Sequence, residues 1–229
     1  MPVVVVLLVI AVVVGGFLIS QKMAQKRLLE LGGVAANAHL GFDAVDTTQY
    51  DDLGFSLFRQ GDRRKWYDVM YDSAAPSHTR VFEYWYETTS TSSNGRQQQN
   101  KTYHTCCVFE VEVMCPRLHI SKENIFTRFA DHLGMADIDF ESEEFNHEFN
   151  VKSTDQRFAS AVVDPLMMQW LLDNGSKCSF ELNSTWGLLV SHHVKPLEMP
   201  GVYSLADQFR RHIPTVVASL YPRNPQDPP

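Results

Sequence analysis

Familiar catalytic signatures are missing from this sequence. It has no Walker-type phosphate loop, no G-x-G-x-x-G, no G-x-S-x-G and no H-E-x-x-H. The common nucleotide enzymes, serine hydrolases and zinc peptidases thereby lose their usual starting point. An excess of positive charge is missing too: 20 Lys and Arg face 27 Asp and Glu, for a net charge of −7. General nucleic-acid binding needs a basic footprint, so that class is set aside. Cysteine is scarce, at 4 residues in 229. Cys106, Cys107 and Cys115 crowd together while Cys178 stands apart, a pattern that fits neither a disulfide framework nor paired C-x-x-C zinc ligands. On a strand, Cys106 and Cys107 point to opposite faces and cannot share one ion. They read as buried structural thiols, and no cofactor is expected.

What the chain has in abundance is a hydrophobic run. Residues 3–19 read VVVVLLVIAVVVGGFLI, without a charge. With Ser20 they make eighteen residues, about 27 Å of helix against a hydrocarbon core of about 30 Å. Valine favours strands in water. In lipid every backbone polar group must bond within its own segment, so a helix is expected. A cleavable signal peptide needs a basic leading region and a nearby small-x-small site. No Lys or Arg precedes the run, and Ala36-Asn37-Ala38 lies far beyond it. Lys22, Lys26 and Arg27 follow the run at once, which by the positive-inside rule puts the C-terminal side in the cytoplasm. The expectation is a single-pass protein of the inner cell membrane. In that location the sequons at Asn100, Asn174 and Asn183 are chance matches.

The remainder divides into a helical extension of the span to residue 31, stopped by Gly32-Gly33, a linker over 32–52, one soluble domain over 53–221, and a solvated, disordered Pro-rich tail over 222–229. The domain reads as α+β, an antiparallel sheet of hairpins with packed helices. Residues 81–89 and 102–114 are rich in aromatic and β-branched side chains and flank Asn94-Gly95, so they predict a hairpin, closed by Pro116. Phe55, Leu57, Tyr67, Val69 and Tyr71 suggest short strands on either side of Gly61-Asp62-Arg63-Arg64. Ser121 is placed to cap a helix running to Gly134. Residues 145–151 alternate like a strand. Residues 154–163 and 164–172 predict a helical pair, with Asp164-Pro165 as cap and first turn. A second hairpin is expected over 177–192, turning at Asn183-Ser184. A last helix over 204–220 is expected to kink at Pro214.

The hairpin closed by a proline, followed by a helix and then Phe145-Asn146-x-x-Phe149-x-Val151, with Asp155, Phe158, Ala159 and Pro165-x-Met167-Met168 after it, resembles a bacterial family of small membrane-anchored proteins of unknown function. The likeness covers roughly residues 78–175. It implies a bacterial source and an anchored cytosolic domain, and it carries no catalytic residue across.

Several groups invite a chemical reading. Glu141, Glu143, Glu144 and Glu148 with His147 suggest a hard-cation site, although His147 falls opposite Glu144 and Glu148 on a strand. His104 and Cys106 share a strand face, as a Cys/His dyad requires. His192 and His193, being adjacent, face opposite ways. Arg63 and Arg64, beside Trp66, form a short basic patch held near the inner leaflet by the anchor. With Lys22, Lys26 and Arg27 they are the candidate membrane-lipid contacts. The favoured function is a membrane-tethered interaction or scaffold module with an unidentified protein partner. The alternatives are a lipid-facing envelope component and an enzyme with a non-standard site around His104, Cys106 and the acidic stretch.

Overall fold

The structure is a computed structural model that describes residues 2–45, 48–72, 78–91, 94–122 and 134–223, with side chains from Val12 onward. The first element, α1 (Pro2–Asn37), is a single 36-residue helix. It does not stop at Gly32-Gly33. Each glycine weakens a helix by about 1 kcal/mol, but Leu31 and Ala35, one turn apart, are fully buried, and packing of that stripe holds the last turns. The segment read as a linker continues from this helix into β1 (Gly41–Asp43) and a 3-10 turn at Tyr50–Leu53.

A seven-stranded antiparallel sheet follows. Its strands are β1, β2 (Arg63–Tyr71), β3 (Arg80–Thr91), β4 (Gln97–Lys122), β5 (Ala136–Asp137), β6 (Phe149–Ser153) and β7 (Cys178–His192). The 26-residue β4 is the spine. Its first half pairs with β3, its last turn of sequence pairs with β6 on the same side, and β7 runs along the other side. Cys107, Phe109, Leu118, Ile120, Phe180 and Leu189 lie in one core cluster, under α1 and the helices α2 (Glu143–Glu148), α3 (Gln156–Val162), α4 (Pro165–Asn174), α5 (Met199–His212) and α6 (Thr215–Leu220). On the other face, Phe82, Tyr84, Cys106, Val108 and Leu188 pack against Tyr50, Phe55, Leu57 and Phe58 from two 3-10 turns. Cys106 and Cys107 therefore enter different cores, as strand alternation requires. The α+β class and the helical pair form as expected, with Asp155 and Asp164 accepting hydrogen bonds from the first turns of α3 and α4.

Five further elements differ from the sequence reading. The short strand expected at Phe55 and Leu57 is instead a 3-10 turn, Ser56–Arg59. Pro116 does not close the second strand of the hairpin: β4 runs on to Lys122, and the proline sits where the β4–β7 register shifts, a place where a missing N–H is tolerated. Ser121 is consequently still in a strand. The helix expected beyond it falls at 123–133, outside the described residues, as do tail residues 224–229. Of the strand expected over 145–151, residues 149–151 do form the start of β6, but 143–148 are helix, because Ser142 caps the first turn and Phe145 and Phe149, four apart, stack on one buried face at 5.3 Å. Residues 178–192 are one strand, not a hairpin. Ser184 takes φ 55° in a bulge opposite Cys115, and Asn183 donates to the Leu53 carbonyl. Finally, the C-terminal helix breaks at Ile213-Pro214 into α5 and α6, and α5 begins earlier, at Met199.

Gly187 stands directly across from Phe109, whose ring occupies the space a Cβ would fill. Gly187→Val is expected to cost about 1–3 kcal/mol through overpacking, measured by thermal unfolding, with Phe109→Leu recovering part of the loss.

Candidate functional site

The most concentrated polar chemistry lies where α1 crosses the sheet. Arg27 directs its guanidinium at two carboxylates, with Nε 2.9 Å from Asp68 Oδ2 and Nη2 2.8 Å from Glu83 Oε1. The Glu83 side chain is 1 % exposed and that of Asp68 7 %, while Arg27 keeps 41 %. His193 Nε2 lies 3.2 Å from the other oxygen of Glu83. Burial alone would lower the Arg27 pKa, but the hydrogen bond it donates to Asp68 and the field of Glu83 reverse that and raise it, so the cation is firmly charged. Burial raises Asp68, with Arg27 opposing the rise. Burial and the hydrogen bond to Glu83 likewise raise Tyr67. The geometry is that of an ion triad, with one guanidinium bridging two carboxylates.

Asp68 reaches this triad through an irregularity. A regular β2 would point it away from Tyr67. The ladder slips between Tyr67 and Met70, Asp68 takes φ 54°, and its carboxylate swings to the α1 side. Beyond the triad the same sheet face carries two more cross-strand rows, Lys65–Trp85–Tyr103 and Arg63–Glu87–Lys101. Lys101 sits over the Trp85 ring at 4.2 Å, Lys65 lies 5.8 Å from the Tyr67 ring, and Tyr103 meets His193 edge-on at 5.9 Å.

The five candidate lipid contacts are thus distributed unequally. Lys22 and Lys26 are exposed on α1. Arg27 turns inward to the triad. Arg63 pairs with Glu87 on the α1 side of β2, whereas Arg64 projects to the opposite face and pairs with Asp51 at 3.1 Å. The patch read as Arg63-Arg64 is split by strand alternation. Lys65, Trp85, Lys101 and Tyr103 replace Arg64 as companions of Arg63, and only the β2–β3–β4 register could reveal that.

The enzyme alternatives gain little from the geometry. His104 and Cys106 do share a face, but burial lowers His104 to about 4 and pushes the Cys106 thiol far up. Both are neutral at pH 7, the opposite of an activated thiolate–imidazolium pair. Glu144, His147 and Glu148 line a shallow open cleft with Asp173, and Glu148 is held by Lys122 at 2.5 Å. Among the described residues no group of three His, Cys, Asp or Glu side chains is placed to hold a metal ion. His192 and His193 diverge, and His193 turns to Glu83.

The fold defines an α+β protein in which a long N-terminal helix is keyed by ion pairs into an antiparallel sheet. No family model matches the chain, and no curated protein matches it. Among solved structures it is similar to the crystal structure of the mycobacterial trehalose monomycolate transport factor A, TtfA, with a TM-score of 0.60 at 8 % identity, covering 86 % of this chain and 97 % of that one. The likeness is one of fold.

Proposed function

We propose that this chain is a membrane-tethered interaction module, anchored by α1 as a single pass of the inner membrane with its domain at the cytoplasmic face. One observation carries the reading. From Val12 to Met23 the side chains of α1 are uncovered by protein, with Val12 at 66 %, Phe17 at 61 % and Ile19 at 61 % exposure, yet the same helix is fully buried at Leu31. A water-exposed apolar surface of this kind marks a site of membrane or protein contact. Among the described residues no helix is long and apolar enough to cross a membrane, and the side chains of residues 3–11, half of the hydrophobic run, lie outside that set. The intact run supports a span.

The partner-binding element is the arm in which Thr88–Thr91 of β3 pairs with Gln97–Asn100 of β4. The arm is exposed and polar, and β7 stops pairing with β4 at His104, so among the described residues no strand covers the outer edge of 97–103. Such an edge accepts an added strand.

Full-length protein is expected to stay with the membrane after alkaline extraction, with a C-terminal reporter inside the cell. Photo-crosslinkers at Gln97 and Gln99 are expected to give one discrete protein adduct. Release into the soluble fraction or an external reporter ends the anchored reading, and crosslinking without a protein adduct ends the partner reading.

A further inference from the structure

The direction in which α1 leaves the domain can be read from its contacts. Gly32 lies against Phe42, on the rung shared by Met70 and Val81, whereas Arg27 reaches Asp68 and Glu83, on the next inward-facing rung of β3. The helix therefore moves, towards its N-terminus, in the sense that leads on to Trp85 and Tyr103. The turn after β7 marks the same exit. His193 meets the carboxylate that Arg27 binds, and three residues later a 3-10 turn at Pro196–Glu198 packs against α1. The apolar tip of that turn, Leu197, is 76 % exposed. Tyr103, beside His193, is 44 % exposed. Lys65, Lys101 and Lys195 are exposed around these groups. The carboxylates of the neighbourhood are already engaged, Glu87 by Arg63 and, at a looser 3.9 Å, by Lys101, and Glu198 by the Lys195 backbone N–H. A chain of net charge −7 thus gathers positive charge, amphipathic rings and an uncovered leucine at the point where its apolar helix emerges.

We infer that this corner, Leu197 with Tyr103, Trp85, Lys65 and Lys101, is a second membrane contact that seats the domain on anionic lipid headgroups. It rests on the anchored reading and adds an orientation to it. Leucine and the aromatic rings enter the interfacial layer, where amphipathic side chains are favoured. The lysines meet the negative surface of the inner leaflet. Seated this way, the β3–β4 arm lies along the inner surface instead of hanging free in solution.

The test uses the full chain in vesicles of phosphatidylcholine alone or mixed with phosphatidylglycerol. A solvent-sensitive maleimide dye is placed at Leu197→Cys or, as control, at Leu166→Cys, which is 75 % exposed on α4, a helix packed on α2 and α5. The four native cysteines are buried, and burial raises Cys115 and Cys178 to about 12, so only the introduced thiol reacts at pH 7. The expected result is a blue shift and severalfold slower aqueous quenching of the Leu197 dye in anionic vesicles, no change at Leu166, and loss of the effect in Lys65→Gln/Lys101→Gln. Protein that floats with the vesicles while its Leu197 dye stays as quenchable as the Leu166 dye overturns the seating and leaves the anchor standing. Equal shielding in both vesicle types overturns the anionic preference. Protein that fails to float overturns the anchor and the seating together.

Discussion

Arg27→Met is expected to lower stability by about 2–4 kcal/mol, seen as a fall in Tm of roughly 6–12 °C for the full chain in detergent. Asp68 and Glu83 would remain nearly buried, side by side and without their shared cation. Breaking a buried pair from one side costs about 3–5 kcal/mol, and the lower range applies because Arg27 itself keeps 41 % of its side chain exposed. Methionine retains the apolar stem, so the loss reports on charge. The argument requires a rescue: Arg27→Met combined with Asp68→Asn and Glu83→Gln removes both orphaned charges and is expected to regain most of the loss. Asparagine suits position 68 because it tolerates the φ of 54° found there. An unchanged Tm in the single variant would mean that the triad does not hold α1 to the sheet. The same contacts set the boundary of the folding unit. A fragment starting at residue 53 lacks Arg27, Leu31 and Ala35, and it is expected to expose the core over Val81 and Met70. The folded unit begins before Arg27.

Acid should weaken the protein between about pH 6.5 and pH 4, and His104 is the expected source. Its imidazole is 4 % exposed and stacks on Tyr86 at 6.0 Å. Burial, reinforced by the charges of His192 and His193, lowers its pKa from 6.5 to about 4 against a bond to the Ser191 backbone. As pH falls below 6.5 the unfolded chain takes up a proton that the folded chain refuses until about pH 4. Stability present above pH 6.5 is thus lost progressively, to a total of roughly 3 kcal/mol. Urea denaturation over this range should show the loss, and His104→Phe, which keeps the stack on Tyr86 without a titrating group, should flatten it. An identical acid slope in that variant would assign the effect elsewhere.

How far the sequence could be read depended on the range of the forces involved. The hairpin around Asn94-Gly95 and the cap at Asp164 were legible because turn chemistry and first-turn hydrogen bonds act over three or four residues. The stretch at 145–148 misled because F-x-x-x-F serves an alternating strand and a helical face alike, and only the cap at Ser142 separates them. Asn183-Ser184 looked like a turn because bulges and turns draw on the same polar residues. The split of Arg63 from Arg64 was missed because the two were read as one patch, whereas β2 starts at Arg63 and alternation sends them to opposite faces.

By itself the sequence determined an apolar run followed by Lys22, Lys26 and Arg27, four thiols without partners in sequence, and a β-rich domain with helices after it. Those properties are local, written in composition and period. Only the tertiary structure decided that Arg27 faces inward, that Asp68 turns to meet it through a bulge, that α1 belongs to the core as well as projecting from it, and that Lys65, Lys101, Trp85 and Tyr103 share one sheet face. Each of these joins residues between about 16 and 170 positions apart, and such contacts arise from strand register and long-range burial, which no local period encodes.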